Sequence, residues 1–159
     1  MQIAKQVLGL ALVGALALAG AASAQLVDKK TISLAAAKKI AGGGEAEAAK
    51  NNWKMVIAIV DDGGHLVYLQ RGDDTQIGSI DIAIGKAHTA LALRRPTKAV
   101  EDIIAGGRTA FLGVHGLTPI QGGLPIIVDG KVVGAVGASG GTSPQDEQVA
   151  RAGIDAMMK

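Results

Sequence analysis

Two strand–turn–strand segments restrict the fold of this chain more than any other feature of its sequence. Apolar runs at 55–60 and 65–70 flank the turn sequence DDGG, and runs at 125–129 and 131–136 flank Asp129-Gly130. Asp and Gly tolerate the positive φ angles that tight hairpin turns need, so both segments predict β-hairpins. Four strands paired in this way predict an antiparallel sheet.

Helical patterns surround the two hairpins. The Ala-rich segment 33–50, with Ser33 or Thr31 as its N-cap, and the segment 76–95 both have helical spacing. A short helix is predicted from Thr97, its N-cap, to the Gly106-Gly107 pair. A last helix with Ser143 as its N-cap follows a glycine loop at 137–142. Hairpins with helices between and after them predict the α+β class.

Three consecutive glycines interrupt the first predicted helix at Gly42, Gly43 and Gly44. Glycine lowers helix propensity, so this run calls for a structural reason. Either the helix bends there, or it packs closely against another element.

The first 24 residues have the pattern of a secretory signal peptide. Lys5 precedes an apolar run from Val7 to Gly20, and Ala22-Ser23-Ala24 forms an A-x-A cleavage site before Gln25. The run is shorter than the ~20 residues that a membrane-spanning helix needs. We therefore predict a signal peptide at 1–24, a single domain at 25–159, a periplasmic or secreted location and no stable membrane insertion after cleavage.

Composition excludes several classes of function. Hydrophobic residues make up 48% of the chain, which excludes intrinsic disorder. A formal charge of +2 and only three aromatic residues, Trp53, Tyr68 and Phe111, argue against nucleic-acid binding. The absence of Cys excludes disulfides, thiol catalysis, Fe–S clusters and covalent haem attachment through C-x-x-C-H.

Three sequence blocks carry a resemblance to a known family. They are IAIVDDGGHLVYLQRGDD at 57–74, IAIGKAHTALALRRPT at 82–97, and the segment 119–153, which contains PIQGGLPIIVDG and GAVGASGGTSP. Together they resemble the GlcG/HbpS family and the C-terminal domain of PduO-type proteins. The resemblance implies a profilin-like α/β/α sandwich with a central antiparallel sheet, a homo-oligomer, and haem or a related tetrapyrrole as a ligand.

Three histidines are candidates for the axial ligand of a haem iron, because a neutral imidazole is a natural ligand of that metal. His115 lies in a loop rich in Gly and Pro, His88 on the flank of a helix, and His65 beside the first hairpin turn. His115 and His88 are the preferred metal ligands. No pair of histidines has zinc-finger or zincin spacing, so a zinc site is unsupported. Each histidine also has an ordinary interpretation as a solvated or packed side chain.

A second group of candidates could bind a carboxylate. Lys86 belongs to the K-A-x-T-A element and is placed on the polar side of its helix, where it could pair with a haem propionate. The glycine-rich segments could present backbone N–H groups to an anion, or could simply form tight turns. Their candidate residues are Gly122, Gly123, Gly137 and Gly140.

Taken together, these features predict an exported protein that binds haem non-covalently for capture, buffering or redox sensing. The alternative is an enzyme or accessory protein that binds a small hydroxy or oxo acid, or a corrinoid. The G-x-S-x-G pattern at Gly137–Gly141 does not indicate a serine hydrolase, because no His follows Ser139. No catalytic residue is assigned.

Overall fold

The computed structural model describes residues 27–159. The predicted signal peptide at 1–24 lies outside this part of the chain. The described residues form four strands, four α-helices and one 3₁₀ turn. In chain order they are α1 (Leu34–Lys50), β1 (Val56–Asp61), β2 (Leu66–Arg71), α2 (Ser79–Leu93), α3 (Thr97–Ala105), the 3₁₀ turn (Thr109–Gly113), β3 (Gly123–Val128), β4 (Lys131–Ser139) and α4 (Ser143–Met158).

The four strands form one antiparallel sheet in the order β2-β1-β4-β3. Both predicted hairpins are present. In the β1–β2 turn, the Asp61 carboxylate accepts hydrogen bonds from the backbone N–H groups of Gly63 (2.9 Å) and His65 (2.8 Å). In the β3–β4 turn, Asp129 and Gly130 both have positive φ, as the Asp-Gly sequence predicts.

Helices cover both faces of the sheet. On one face, Ile57 and Ile59 of β1 belong to a core that includes Ile40 of α1 and Val149 of α4. On the other face, the alternate β1 residues Val56, Ala58 and Val60 pack against α2. Because both faces of β1 are buried, its sequence is continuously apolar and does not alternate. The predicted α/β/α sandwich is confirmed.

The three glycines of α1 do not interrupt the helix, which is continuous from Leu34 to Lys50. A Cβ atom added at Gly43 would lie 2.4 Å from the Cβ of Ala156 in α4, and one at Gly44 would lie 2.8 Å from Cδ1 of Ile57. Gly42 faces open space. Of the two explanations left open by the sequence, close packing of α1 against its neighbours is present at Gly43 and Gly44.

Several predicted boundaries need correction. β4 continues to Ser139, so Gly137 lies in a strand and not in a loop. The N-cap of α4 is Thr142, one residue before the predicted Ser143. Thr97 does not cap α3, because its hydroxyl accepts a hydrogen bond from the N–H of Gly123 (2.9 Å). Arg94, with φ of 50°, ends α2 before Pro96 is reached.

Candidate functional site

A groove of about 810 Å³ lies where the C-terminal half of α2 meets the two hairpin turns. We call it the hairpin groove. Its remaining wall is the segment 27–30, part of an N-terminal strap (residues 27–32) that the backbone N–H of Ile32 attaches to the carbonyl of Val133 at 3.0 Å. Its volume lies in the range of small-molecule and cofactor sites.

His88 is the one predicted histidine that lines the hairpin groove. It is exposed on α2, and its ring lies beside the first hairpin turn: a Cβ atom at Gly64 would be 3.6 Å from Cε1 and 3.7 Å from Nδ1. Apolar side chains of Leu91, Ile127 and Val132 line the same groove. A histidine imidazole is one of the side chains that can ligate a haem iron.

Four cationic side chains also line the groove: Lys29, Lys30, Arg94 and Lys131. Lys30 donates a 2.6 Å hydrogen bond to the carboxylate of Asp129, and this bond lowers the pKa of Asp129. The ammonium of Lys29 lies 4.0 Å from the carboxylate of Asp62. These two pairs join the strap to both hairpin turns.

The other two histidines lie outside the groove lining. His65 is exposed in the first hairpin turn, directly before β2, with its Cδ2 atom 3.1 Å from where a Cβ of Gly63 would be. His115 is exposed in the loop that follows the 3₁₀ turn, near the exposed side chains of Leu112 and Val114. Within residues 27–159, no group of three or more His, Cys, Asp or Glu side chains could hold a metal ion.

Lys86 does not lie on the polar side of α2, and the sequence interpretation is wrong on this point. Its side chain is only 1% exposed, and its Nζ donates to the Asp146 carboxylate (2.6 Å) and to the carbonyl of Ala138 (3.1 Å). The buried face of α2 consists of small residues with Lys86 among them, at the helical spacing Ala83, Lys86, Ala87 and Ala90. The spacing of Lys86 from Ala83 and Ala90 was detectable in the sequence. The larger side chains Ile80, Ile84 and Leu91 pack beside this stripe, as the helical spacing predicts, whereas Ile77 is exposed.

Asp146 is the partner of Lys86 that sequence analysis missed, although it lies in the first turn of a predicted helix. Burial raises the pKa of its carboxyl, while the Lys86 ammonium and the backbone N–H groups of Gly140 and Gly141 act in the opposite direction. The N–H of Gly141 donates to Asp146 at 3.0 Å. The anion at the start of α4 is therefore the chain's own carboxylate.

Other atoms of this chain lie close to each of the four candidate glycines, where a ligand anion would otherwise have to bind. A Cβ atom would lie 2.8 Å from Nζ of Lys86 if placed at Gly122, and 2.3 Å from the carbonyl oxygen of Lys86 if placed at Gly123. At Gly137 it would lie 2.1 Å from the carbonyl oxygen of Ala83, and at Gly140 2.0 Å from that of Lys54. These positions allow backbone packing, and none of the four lines the hairpin groove.

A family model described as "Haem degrading protein HbpS-like" matches residues 32–155. The chain belongs to the HbpS-like family. Protein GlcG of Escherichia coli strain K12 is 46% identical over 111 residues, which cover 70% of this chain and 83% of GlcG. The resemblance to the GlcG/HbpS family is therefore confirmed.

Solved structures agree with the HbpS-like assignment. The crystal structure of Klebsiella pneumoniae protein ORFY superposes with a TM-score of 0.80 at 33% identity, covering 84% of this chain and 95% of that one. The crystal structure of a PduOC:heme complex superposes with a TM-score of 0.73 at 25% identity, covering 79% of this chain and 94% of that one. The α+β sandwich is thus a fold that this chain shares with both of these proteins.

Proposed function

We propose that this protein binds haem non-covalently in the hairpin groove, with His88 as the axial ligand of the iron. The observation that carries the proposal is the position of His88, which lies on a groove with an apolar wall and a cationic rim. Leu91, Ile127 and Val132 provide apolar surface for a macrocycle, and cationic side chains suit its propionates. The existence of a haem complex with the same fold supports the proposal.

Different residues of the groove would bind different parts of a haem group. A neutral His88 would supply the nitrogen ligand, and the strap and the two hairpin turns form the remaining walls of the groove. Bound haem would supply a redox-active iron. Because no other histidine lines the groove, we propose that this chain alone contributes one imidazole and no more.

The proposal includes export and self-association. The signal pattern at 1–24 supports a periplasmic or secreted protein that captures, buffers or senses haem. Exposed apolar side chains around the 3₁₀ turn, among them Leu112 and Val114, support a homo-oligomer.

The test is a haem titration of the mature chain, residues 25–159, in parallel with H88A, H65A and H115A. We expect a shifted Soret band that saturates at one haem per chain, persists in H65A and H115A, and is lost in H88A. The H65A variant is the matched control, because His65, like His88, lies beside the first hairpin turn but does not line the groove. A Soret shift that is indifferent to all three changes would refute the assignment of the site.

A second candidate is the binding of a small hydroxy or oxo acid, and the cationic rim of the groove is the observation that favours it. The version of this site built from Lys86 and the glycine segments has no support, since those atoms contact one another. A thermal-shift screen of small acids distinguishes the two functions. Stabilisation by an acid together with no effect of haem would favour this second function, since ligand at 100 times its Kd adds ~2.7 kcal/mol.

A further inference from the structure

The four cations of the hairpin groove are not equivalent. Lys30 has a carboxylate partner at 2.6 Å and Lys29 has one at 4.0 Å. For Arg94 and Lys131, the described part of the chain provides no carboxylate within 4.0 Å. The first two cations therefore attach the strap to the hairpin turns, and the last two are available to a ligand.

The backbone explains why Arg94 and Lys131 share this groove. Arg94 is the residue that ends α2, and Lys131 is the first residue of β4, directly after the Asp129-Gly130 turn. Both positions border the apolar wall formed by Leu91 and Val132. Two cations beside an apolar surface suit a ligand that is apolar in its body and carries two carboxylates at its edge.

We infer that Arg94 and Lys131 form a carboxylate subsite, so that the hairpin groove selects tetrapyrroles by their two acidic side chains and accepts the metal-free macrocycle as well as haem. This inference rests on the proposed function, because it takes the hairpin groove as the tetrapyrrole site. It goes further in one respect: recognition is assigned to charge at the rim, and His88 adds coordination only when iron is present. The exposed acidic residue Asp28 also lines the groove. Its charge repels any carboxylate of a ligand that is not paired with Arg94 or Lys131.

The decisive comparison uses protoporphyrin IX without metal and its dimethyl ester, which differ only in the two carboxylates. Each is titrated into the mature chain from the same solvent stock, and binding is followed by the absorption and fluorescence of the porphyrin. We expect the free acid to bind at least about tenfold more tightly than the ester, a difference of ~1.4 kcal/mol. Equal affinities for acid and ester would overturn the inference.

Variants assign the selectivity to the two residues. The double variant Arg94→Gln/Lys131→Gln is expected to lose at least about tenfold in affinity for the free acid and to leave ester binding unchanged. Its matched control is Arg95→Gln/Lys38→Gln, which removes the same charge from two exposed residues outside the groove lining. The exchange Arg94→Lys/Lys131→Arg keeps both charges and is expected to retain binding. Equal losses in the double variant and in its control would overturn the inference.

Binding of haem and of metal-free protoporphyrin to the H88A variant tests this inference separately from the proposed function. H88A is expected to weaken haem binding and to leave the affinity for metal-free protoporphyrin within about twofold. If haem binding does not depend on His88, the proposed ligand is wrong, yet dependence of acid binding on Arg94 and Lys131 still supports the subsite. If haem binding depends on His88 and the acid and ester bind equally, the proposed function stands and the subsite is refuted.

Discussion

At the scale of single residues, the ion pair between Lys86 and Asp146 is the most unusual feature of the interior. Both side chains are nearly inaccessible, at 1% and 4% exposure, and the pair connects α2 to α4 beside the C-terminal end of β4. Removing two charges from water costs free energy that their mutual attraction does not always repay. The raised pKa of Asp146 has the same origin, since burial is its largest cause.

Single and double substitutions of Lys86 and Asp146 distinguish the net contribution of the ion pair to the free energy of unfolding from the loss caused by removing only one partner. Lys86→Met or Asp146→Leu alone should lower the free energy of unfolding by about 3–5 kcal/mol, because each leaves an uncompensated buried charge. The double variant should be much closer to the wild type. Urea unfolding monitored by circular dichroism checks this expectation, and additive losses in the double variant would contradict it.

The pH dependence of stability follows from the direction of the Asp146 shift. Because the folded-state pKa is raised above the ordinary value of 3.8, the folded protein holds a proton at Asp146 over a range above pH 3.8 in which the unfolded chain releases it. The contribution of this group is therefore complete below pH 3.8 and is lost as the pH rises through the raised pKa. The stability of the wild type relative to Asp146→Asn should fall across this window and then level off. A rise over the same window would show that the shift has the opposite sign.

At the scale of elements, glycine spacing sets how closely the layers approach each other. The helix α2 lies against β4 at Gly137, where a Cβ atom would be 2.1 Å from the carbonyl oxygen of Ala83. The hairpins were predictable because turn chemistry is local. The burial of Lys86 on α2 was not predicted, since its charge suggests a solvated position and its partner Asp146 lies 60 residues away in the sequence. Gly137 was assigned to a loop because a strand that packs backbone against backbone has the composition of a turn.

The glycine run of α1 offers a matched pair of substitutions. Gly43→Ala should destabilise the fold by about 1–3 kcal/mol, because its new methyl group would overlap with Ala156 of α4. Gly42→Ala meets no atom within 4 Å and should stabilise the protein by about 0.5–1 kcal/mol through helix propensity. Thermal unfolding of both variants tests the expectation. Equal shifts of Tm in the same direction would contradict the packing explanation.

At the scale of the whole molecule, the functional groups are arranged on the surface and the family motifs lie largely inside. The K-A-x-T-A element buries Lys86, and the second glycine of G-G-x-P, Gly123, lies against the backbone of Lys86. The resemblance was therefore a good guide to the fold, because these motifs specify packing. It was a weaker guide to the site, whose cations come from the strap, a helix end and a hairpin. Their proximity depends on tertiary structure and not on sequence spacing. Among the helices of residues 27–159, none combines the length and apolarity needed to cross a membrane.

Self-association is also predicted at this scale. Leu112, 64% exposed, and Val114, 50% exposed, lie close together in sequence near the 3₁₀ turn. We expect Leu112→Asp/Val114→Asp to reduce the oligomer mass measured by light scattering, because burying these carboxylates would be costly. Ile77→Asp, at another exposed apolar residue, is the control and should leave the mass unchanged. A mass that does not respond to the double change would place the interface elsewhere.

The position of the strap has a practical consequence for how this protein is prepared. Val27 lines the hairpin groove, and the predicted mature chain starts only two residues earlier, at Gln25. Two residues span at most ~7 Å, so whatever is fused to that end is held close to the groove mouth. A polyhistidine affinity tag placed there would bring additional imidazoles next to a site proposed to bind iron through an imidazole. A tag at the C-terminus, or none, is the preparation in which a haem spectrum reports on His88.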